Sequence, residues 1–188
     1  MSIKERPAAS PAPVSTGPAV AQWLAVLRIG VGLIFLWAFV DKLFGLGYST
    51  PSAHSWLSGA SPTQGFLGNV AVGPFQSLFH AWAGAAWADW LFMLGLAGIG
   101  VAVTLGVALR ISAVAGTIML LMMWAAEWPL STTTAAGKPS GSTNPLIDYH
   151  IVFALALIVF AVAGSGVTWG LGRQWQKLAV VRDNPWLR

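Results

Sequence analysis

Asn144–Trp169, NPLIDYHIVFALALIVFAVAGSGVTW, joins an apolar run of membrane length to two ionisable side chains. Asn144 can cap a helix, and Pro145 suits the first helical position because its missing N–H would be unpaired there anyway. The apolar run has the length of about 20 residues that a helix needs to cross a bilayer core. Asp148 and His150 lie within the first two turns. They therefore either anchor the helix at the membrane interface or take part in chemistry there.

The composition of the 188-residue chain is that of an integral membrane protein. Hydrophobic residues make up 56% of the chain and charged residues 9%, whereas soluble domains carry about 25% charged residues. A net charge of +4 without a long basic stripe argues against nucleic-acid binding. The absence of cysteine excludes disulfides, thiol redox pairs and Cys-ligated iron–sulfur or zinc sites. Electrons for a redox reaction would therefore come through a bound cofactor, a substrate or a partner.

Hydropathy and helix punctuation predict an all-α membrane four-helix bundle over residues 22–172. The expected spans are at about 22–40, 87–109, 111–128 and 145–167. Between the first two spans, glycines and prolines predict short helices lying on the membrane surface, one near Ser52–Ser58 and one from Pro74. Residues 1–21 are predicted to be a disordered tail and residues 173–188 a basic tail.

Two features inside the spans carry further expectations. Gly98, Ala102 and Gly106 recur every four residues and predict close helix packing along that stripe. Arg28 lies in the first span and is expected to extend its side chain toward the near interface.

The distribution of Lys and Arg predicts the orientation in the membrane. Two cations, Lys42 and Lys138, lie on one side. The other side, which carries both termini, holds Lys4, Arg6, Arg110, Arg173, Lys177, Arg182 and Arg188. The positive-inside rule then places both termini in the cytoplasm, with the long loops facing outward.

This topology collects the ionisable residues at the span ends on the predicted outer face. We expect Glu127, Asp148 and His150 to handle protons there, because imidazole exchanges protons near neutral pH and ionisable groups in spans often mark proton relays. The alternatives are that Asp148 stabilises a helix start and that His150 is a structural residue with satisfied hydrogen bonds.

A second group on this face is expected to bind substrate. Lys42 can offset an anionic charge, and Trp124 and Trp128 can line a flat ring such as a quinone. Asp41 adjoins Lys42 and is included with it. The alternative is that Asp41 and Lys42 form a simple pair at a helix end and that the tryptophans belong to an interfacial belt.

No metal is predicted. The three histidines show no metal-ligand spacing, and a metal site needs three or four convergent ligands. His54 and His80 are expected to be ordinary loop residues.

Several segments in order resemble the DoxX/DoxD family of four-span bacterial membrane proteins, over about residues 22–187. They are LRIGVGLIFLWAFVDKL, WLSGASPTQGFL, ADWLFMLGLAGIGVAVTLG, MLLMMWAAEWP and NPLIDYHIVFALALIV, followed by TWGLGRQWQKLAVV, which is similar to actinobacterial members. The resemblance implies the membrane subunit of a thiosulfate:quinone oxidoreductase, with quinone as cofactor and a small DoxA-like subunit or a soluble redox protein as partner.

Three functions are compatible with these features. The first is a quinone-linked oxidoreductase subunit with an outer pocket. The second is a non-catalytic scaffold that anchors a soluble redox or stress-response protein. The third, a small-solute transporter, is disfavoured because the cytoplasmic half of the bundle offers mainly Arg28 and no polar path across. The lipid bilayer is a partner in each case, and the possibility of a homo-oligomer is left open.

Overall fold

The computed structural model describes residues 17–187, and the elements within them are helical. The α-helices are α1 (Pro18–Phe44), α2 (Gln64–Leu67), α3 (Gln76–Trp82), α4 (Ala86–Leu105), α5 (Leu109–Glu127), α6 (Tyr149–Val162), α7 (Gly172–Trp175) and α8 (Ala179–Asp183). Single 3₁₀ turns lie at Ser52–His54, Trp56–Ser58, Ser165–Val167 and Pro185–Leu187. The predicted all-α bundle is confirmed. Residues 18–21 belong to α1 and not to a tail, and residues 1–16 lie outside the described part.

The fourth span differs most from its prediction. Helices α1, α4 and α5 are long and apolar enough to cross a membrane, but α6 has only 14 residues. At 1.5 Å per residue it is about 21 Å long, against about 30 Å for a hydrocarbon core. Asp148, and not Asn144, caps α6, because its side chain accepts from the backbone N–H groups of His150 and Ile151. Asn144 closes a separate turn by accepting from Leu146 and Ile147.

The helices pack as a bundle in which α1 lies along α4 and α5 along α6. A Cβ atom on Gly100 would lie 2.8 Å from the backbone nitrogen of Leu36, so glycine permits this close approach. The close contact of α4 with α1 therefore lies at Gly100. The predicted packing stripe is wrong at Gly98, which is exposed and has open space around it. The larger core cluster includes Phe35, Leu96, Leu120, Leu157 and Phe160.

Arg28 does not extend to the interface as expected but is fully buried. Its Nη1 atom lies 2.5 Å from the carbonyl oxygen of Val103 and 2.6 Å from that of Thr104, at the end of α4. Its Nη2 atom lies 3.2 Å from the carbonyl oxygen of Thr168 and 3.0 Å from that of Trp169. The last carbonyls of a helix have no partner within the helix and carry its negative dipole end. One cation therefore satisfies the end of α4 and the irregular backbone that follows α6.

Glycines make room for this arginine. A Cβ atom on Gly106 would lie 2.7 Å from the Cα atom of Gly166, and Gly106 has a φ of +72°, which side chains rarely adopt. A Cβ atom on Gly170 would lie 3.0 Å from Nη2 of Arg28. The backbone segments thus approach one another closely enough to aim their carbonyl groups at the guanidinium.

The loop between α1 and α4 contains short helices where they were predicted. The predicted helix near Ser52–Ser58 is two 3₁₀ turns, and the helix predicted from Pro74 begins at Gln76. Asp89 of α4 anchors this loop, since its Oδ1 atom accepts from Ser61 Oγ at 2.8 Å, Thr63 N at 3.0 Å and Thr63 Oγ1 at 2.6 Å. The loop therefore covers the outer ends of the long helices in a fixed position.

The C-terminal segment is folded and is not the simple tail that the sequence suggested. Val181 in α8 is fully buried. Arg110 at the start of α5 donates from Nη1 to the carbonyl oxygen of Pro185 at 3.0 Å. Trp175 donates from Nε1 to the carbonyl oxygen of Leu187 at 2.7 Å. Residues 172–187 therefore fold back on the end of the bundle, and Arg188 lies outside the described residues.

Replacing Arg28 by Met should strongly destabilise the bundle. The change leaves four carbonyl groups without their charged donor, and a hydrogen bond to a charged group contributes about 1.5–3 kcal/mol. We expect a loss of about 3 kcal/mol or more, seen as a lower melting temperature in detergent. Arg182→Met is the matched control, because Arg182 is exposed and contacts only Asp183. Equal melting temperatures for both variants would contradict the role assigned to Arg28.

Replacing Asp89 by Ala should release the first loop while leaving the helices in place. The variant removes three hydrogen bonds to Ser61 and Thr63. We expect protease cleavage within residues 45–85 to become at least several-fold faster. Asp183→Ala, which removes an exposed carboxylate, serves as control. Protection of the loop in the Asp89 variant would show that other contacts hold it.

Candidate functional site

The candidate site lies where α5 ends and α6 begins. Glu127 is the last residue of α5, Asp148 caps α6, and Tyr149 and His150 form its first turn. Because α5 and α6 are antiparallel neighbours, these residues meet although they are about 20 positions apart in sequence. We call Glu127, Asp148, Tyr149 and His150 the outer cluster.

Short polar contacts connect the members of the outer cluster. Nδ1 of His150 lies 2.8 Å from Oδ2 of Asp148 and 4.0 Å from Oε2 of Glu127. The hydroxyl of Tyr149 donates to Oε1 of Glu127 at 3.0 Å. Since an ionised carboxylate only accepts hydrogen bonds, Nδ1 of His150 carries the proton in the contact with Asp148. The structure thus brings together the three predicted proton-handling residues, and it adds Tyr149.

Burial increases through the cluster. The side chain of Glu127 is 38% exposed, that of Asp148 16% and that of His150 0%. Nε2 of His150 is buried and has no hydrogen-bond partner within the described residues. A chain of polar groups therefore leads from the surface to a buried nitrogen atom without a hydrogen-bond partner in the described residues, which is uncommon in folded proteins.

Asp41 and Lys42 lie outside the outer cluster. Asp41 is 1% exposed and accepts from the backbone of Tyr48 and from both the backbone and the hydroxyl of Ser49. Its carboxylate therefore holds the first loop. Lys42 lines a cavity of about 700 Å³ beside His54, and its ammonium has no salt bridge within residues 17–187.

The two predicted substrate-binding tryptophans have different surroundings. Trp124 packs beside Trp128 with ring centroids 6.0 Å apart, and its Nε1 is buried without a partner in the described part of the chain. Trp128 has a φ of +43° and packs against Phe75 of the first loop. Trp128 therefore holds the loop against α5, whereas Trp124 offers an unused buried donor on the helix that ends at Glu127.

An apolar cavity of about 270 Å³ opens between α4 and α5 beneath the first loop. Its aromatic walls are Phe66, Phe79, Phe92, Trp82 and Trp87, and α5 contributes Met119, Met122 and Met123. Neither Trp124 nor Trp128 lines it. Aromatic rings and flexible thioethers adapt well to a flat apolar ligand.

A polar cavity of about 310 Å³ lies on the outer side of this apolar cavity. Glu127 lines the polar cavity together with Asn69 and Ser142. Phe66 lines both cavities, so they share a wall. Met123 of the apolar cavity precedes Glu127 by one helical turn, about 6 Å along α5. The apolar cavity and the outer cluster therefore adjoin the same turn of one helix.

The outer cluster also has donor atoms of the kind that bind metals. Glu127, Asp148 and His150 each offer one ligand atom, all within 4.8 Å of one another. A metal ion there would have to displace the hydrogen bond between His150 and Asp148. That hydrogen bond already occupies Nδ1 of His150. The absence of a metal at this site stays a prediction from the sequence.

Sequence reasoning missed Tyr149 as a partner of Glu127 and missed the tryptophans of the apolar cavity. Trp82 is in α3 and Trp87 in α4, and only the path of the first loop brings them beside the methionines of α5. The run MLLMMW carries a signal that could have been read, because three methionines within five residues are unusual on one helix.

Comparisons with known proteins agree with this architecture. The family model described as DoxX matches residues 23–128, which include most of α1, the first loop with α2 and α3, and all of α4 and α5. No curated protein and no solved structure matches the chain. The helices and the family match together make this a multi-pass membrane protein. With more than half of its length matched by that model, the chain belongs to the DoxX family.

Proposed function

We propose that this protein is the quinone-reactive membrane subunit of an oxidoreductase. The observation that carries the proposal is the fully buried imidazole of His150, whose Nε2 has no partner within the described residues. Its other nitrogen is tied to Asp148, and Glu127 beside it reaches the surface. Reduction of a quinone takes up two protons, so a site for it needs proton donors that reach a dry interior.

The outer cluster supplies such a route. Glu127 exchanges protons with water through its exposed side, and Tyr149 holds one of its carboxylate oxygens. His150 passes protons between Nδ1, which faces the two carboxylates, and Nε2, which faces the interior. Asp148 fixes the imidazole tautomer and orientation, as carboxylates commonly do for catalytic histidines.

The apolar cavity is where we expect the quinone ring to bind. Its mouth is lined by Trp87, Leu91 and Met122, which are exposed on the membrane-facing side of α4 and α5. An isoprenoid tail can leave through this mouth into lipid while the ring lies against Phe66. The ring would then lie within about one turn of α5 from Glu127.

Thiosulfate is the electron donor that we propose, together with a partner subunit. The chain has no cysteine to carry sulfur, so oxidation of the donor requires a second protein, for which a small DoxA-like subunit is the model. Lys42 lines the cavity of about 700 Å³ beside His54 and is suited to hold the thiosulfate dianion. The proposed location is the outer face of a bacterial inner membrane, with both termini cytoplasmic.

A non-catalytic scaffold is the alternative. A scaffold needs exposed loops, which this protein has. It does not need a buried histidine nitrogen that surface carboxylates connect to water. The unpartnered Nε2 of His150 therefore favours the oxidoreductase.

Replacing Glu127 by Gln, or His150 by Ala, should lower thiosulfate-dependent quinone reduction in membranes by about a hundredfold, the usual contribution of a positioned proton donor. Glu127→Gln should leave folding unchanged, since the amide oxygen can still accept from Tyr149. Asp183→Asn makes the same carboxylate-to-amide change at an exposed residue in the C-terminal segment and should keep the wild-type rate.

Protein levels and melting temperatures must be matched across the variants before rates are compared. Wild-type rates in both the Glu127 and His150 variants would remove the proton-donor role and leave the scaffold as the better account.

A further inference from the structure

The opposite end of the bundle, which carries both chain termini, has two adjoining cavities. The first is a groove of about 630 Å³ between α5 and α6. The second is a chamber of about 220 Å³ where α5 and α6 meet the C-terminal segment. Arg110, Ala161 and Val162 line both spaces. The groove and the chamber therefore adjoin, with a cation where they meet.

The groove is mainly apolar, and Thr117 is its polar lining residue besides Arg110. On α5 the lining residues follow Arg110 at the spacing of one helix face and include Val114 and Ile118. On α6 they include Ile158 and Val162. Val114 is 63% exposed and Val162 84% exposed, so this face meets the acyl chains of the bilayer.

The chamber has a different character. Glycines without side chains form part of its wall, and Trp175 and Gln176 contribute polar edges. Arg110 gives one hydrogen bond, to the carbonyl oxygen of Pro185. Its guanidinium has no carboxylate within 4 Å among residues 17–187. Further donors of Arg110 therefore stay available, and a guanidinium matches phosphate geometry.

The neighbouring charges have the same sign as Arg110. The C-terminal segment adds Arg173 and Lys177, which flank the chamber residues Trp175 and Gln176 in sequence. Its one acidic residue within the described part, Asp183, pairs with Arg182 at 3.4 Å. Basic pockets between membrane helices favour anionic lipid head groups.

We propose that the groove and the chamber together bind one anionic phospholipid. Its phosphate lies at Arg110 in the chamber, and an acyl chain lies along the groove past Val114 and Ile118. A free phosphate ion could bind Arg110 in the chamber, but it would leave the apolar groove empty. A zwitterionic lipid has no net charge to match the local positive charge. This site is independent of the outer cluster and of the proposed quinone reaction.

Native mass spectrometry of the full chain in detergent tests the proposal. Added phosphatidylglycerol should be retained in preference to phosphatidylcholine, and Arg110→Gln should lower that preference about fivefold, the factor that corresponds to about 1 kcal/mol per cation at a membrane surface. Arg182→Gln removes the same charge away from both cavities and should keep the preference. Val162→Trp, which fills the junction from an exposed position, should lower retention while Arg110 is intact.

Three results would overturn the proposal. One is equal retention of the two lipids by the wild type. Another is an equal loss in Arg110→Gln and Arg182→Gln, which would show a general charge effect. The third is displacement of the lipid by millimolar inorganic phosphate, which would show that the chamber binds free phosphate and that the groove contributes nothing.

Discussion

A charged side chain buried among helices is tolerated only where polar groups surround it, and Arg28 meets this condition with backbone carbonyls alone. Two of them end α4 and two belong to the segment after α6. Because irregular backbone at membrane depth must be satisfied by the protein itself, the same contacts make a short α6 acceptable. Arg28 thus determines both where α4 ends and how the chain continues after Val162.

At the start of α6 the charges are arranged the other way round, with acidic groups around a buried side chain. There, two carboxylates lie beside a buried imidazole ring, and Asp148 serves both as helix cap and as partner of His150. Since α6 begins at Tyr149, His150 stands in the first turn and remains close to Glu127. Because α6 starts at Tyr149, the partly exposed Asp148 can cap the helix and hold Nδ1 of His150 at the same time. The late start of α6 therefore keeps the buried imidazole connected to water.

Much of the fold could be predicted from the sequence, because long apolar runs specify α1, α4 and α5 directly. The start of α6 could not, since Asn144 and Asp148 are both good caps and only the packed structure decides between them. The burial of Arg28 was also missed, because its carbonyl partners are 75 to 141 residues away. In the site, the charge pattern at the span ends predicted the meeting of Glu127, Asp148 and His150. It could not show that Asp41 and Asp89 hold the first loop, or that Trp82 and Trp87 line a cavity, because the path of that loop has no periodic signal.

The central claim is that the apolar cavity beside the outer cluster binds a quinone ring, and quenching of tryptophan fluorescence by a short-chain naphthoquinone tests it most directly. Trp82 and Trp87 line the cavity, so quenching of the purified protein should saturate with added quinone. Met122→Trp fills the cavity from its exposed rim, and quenching of that variant should rise linearly, as expected for quinone dissolved in detergent. Linear, unsaturable quenching of the wild type would contradict the account.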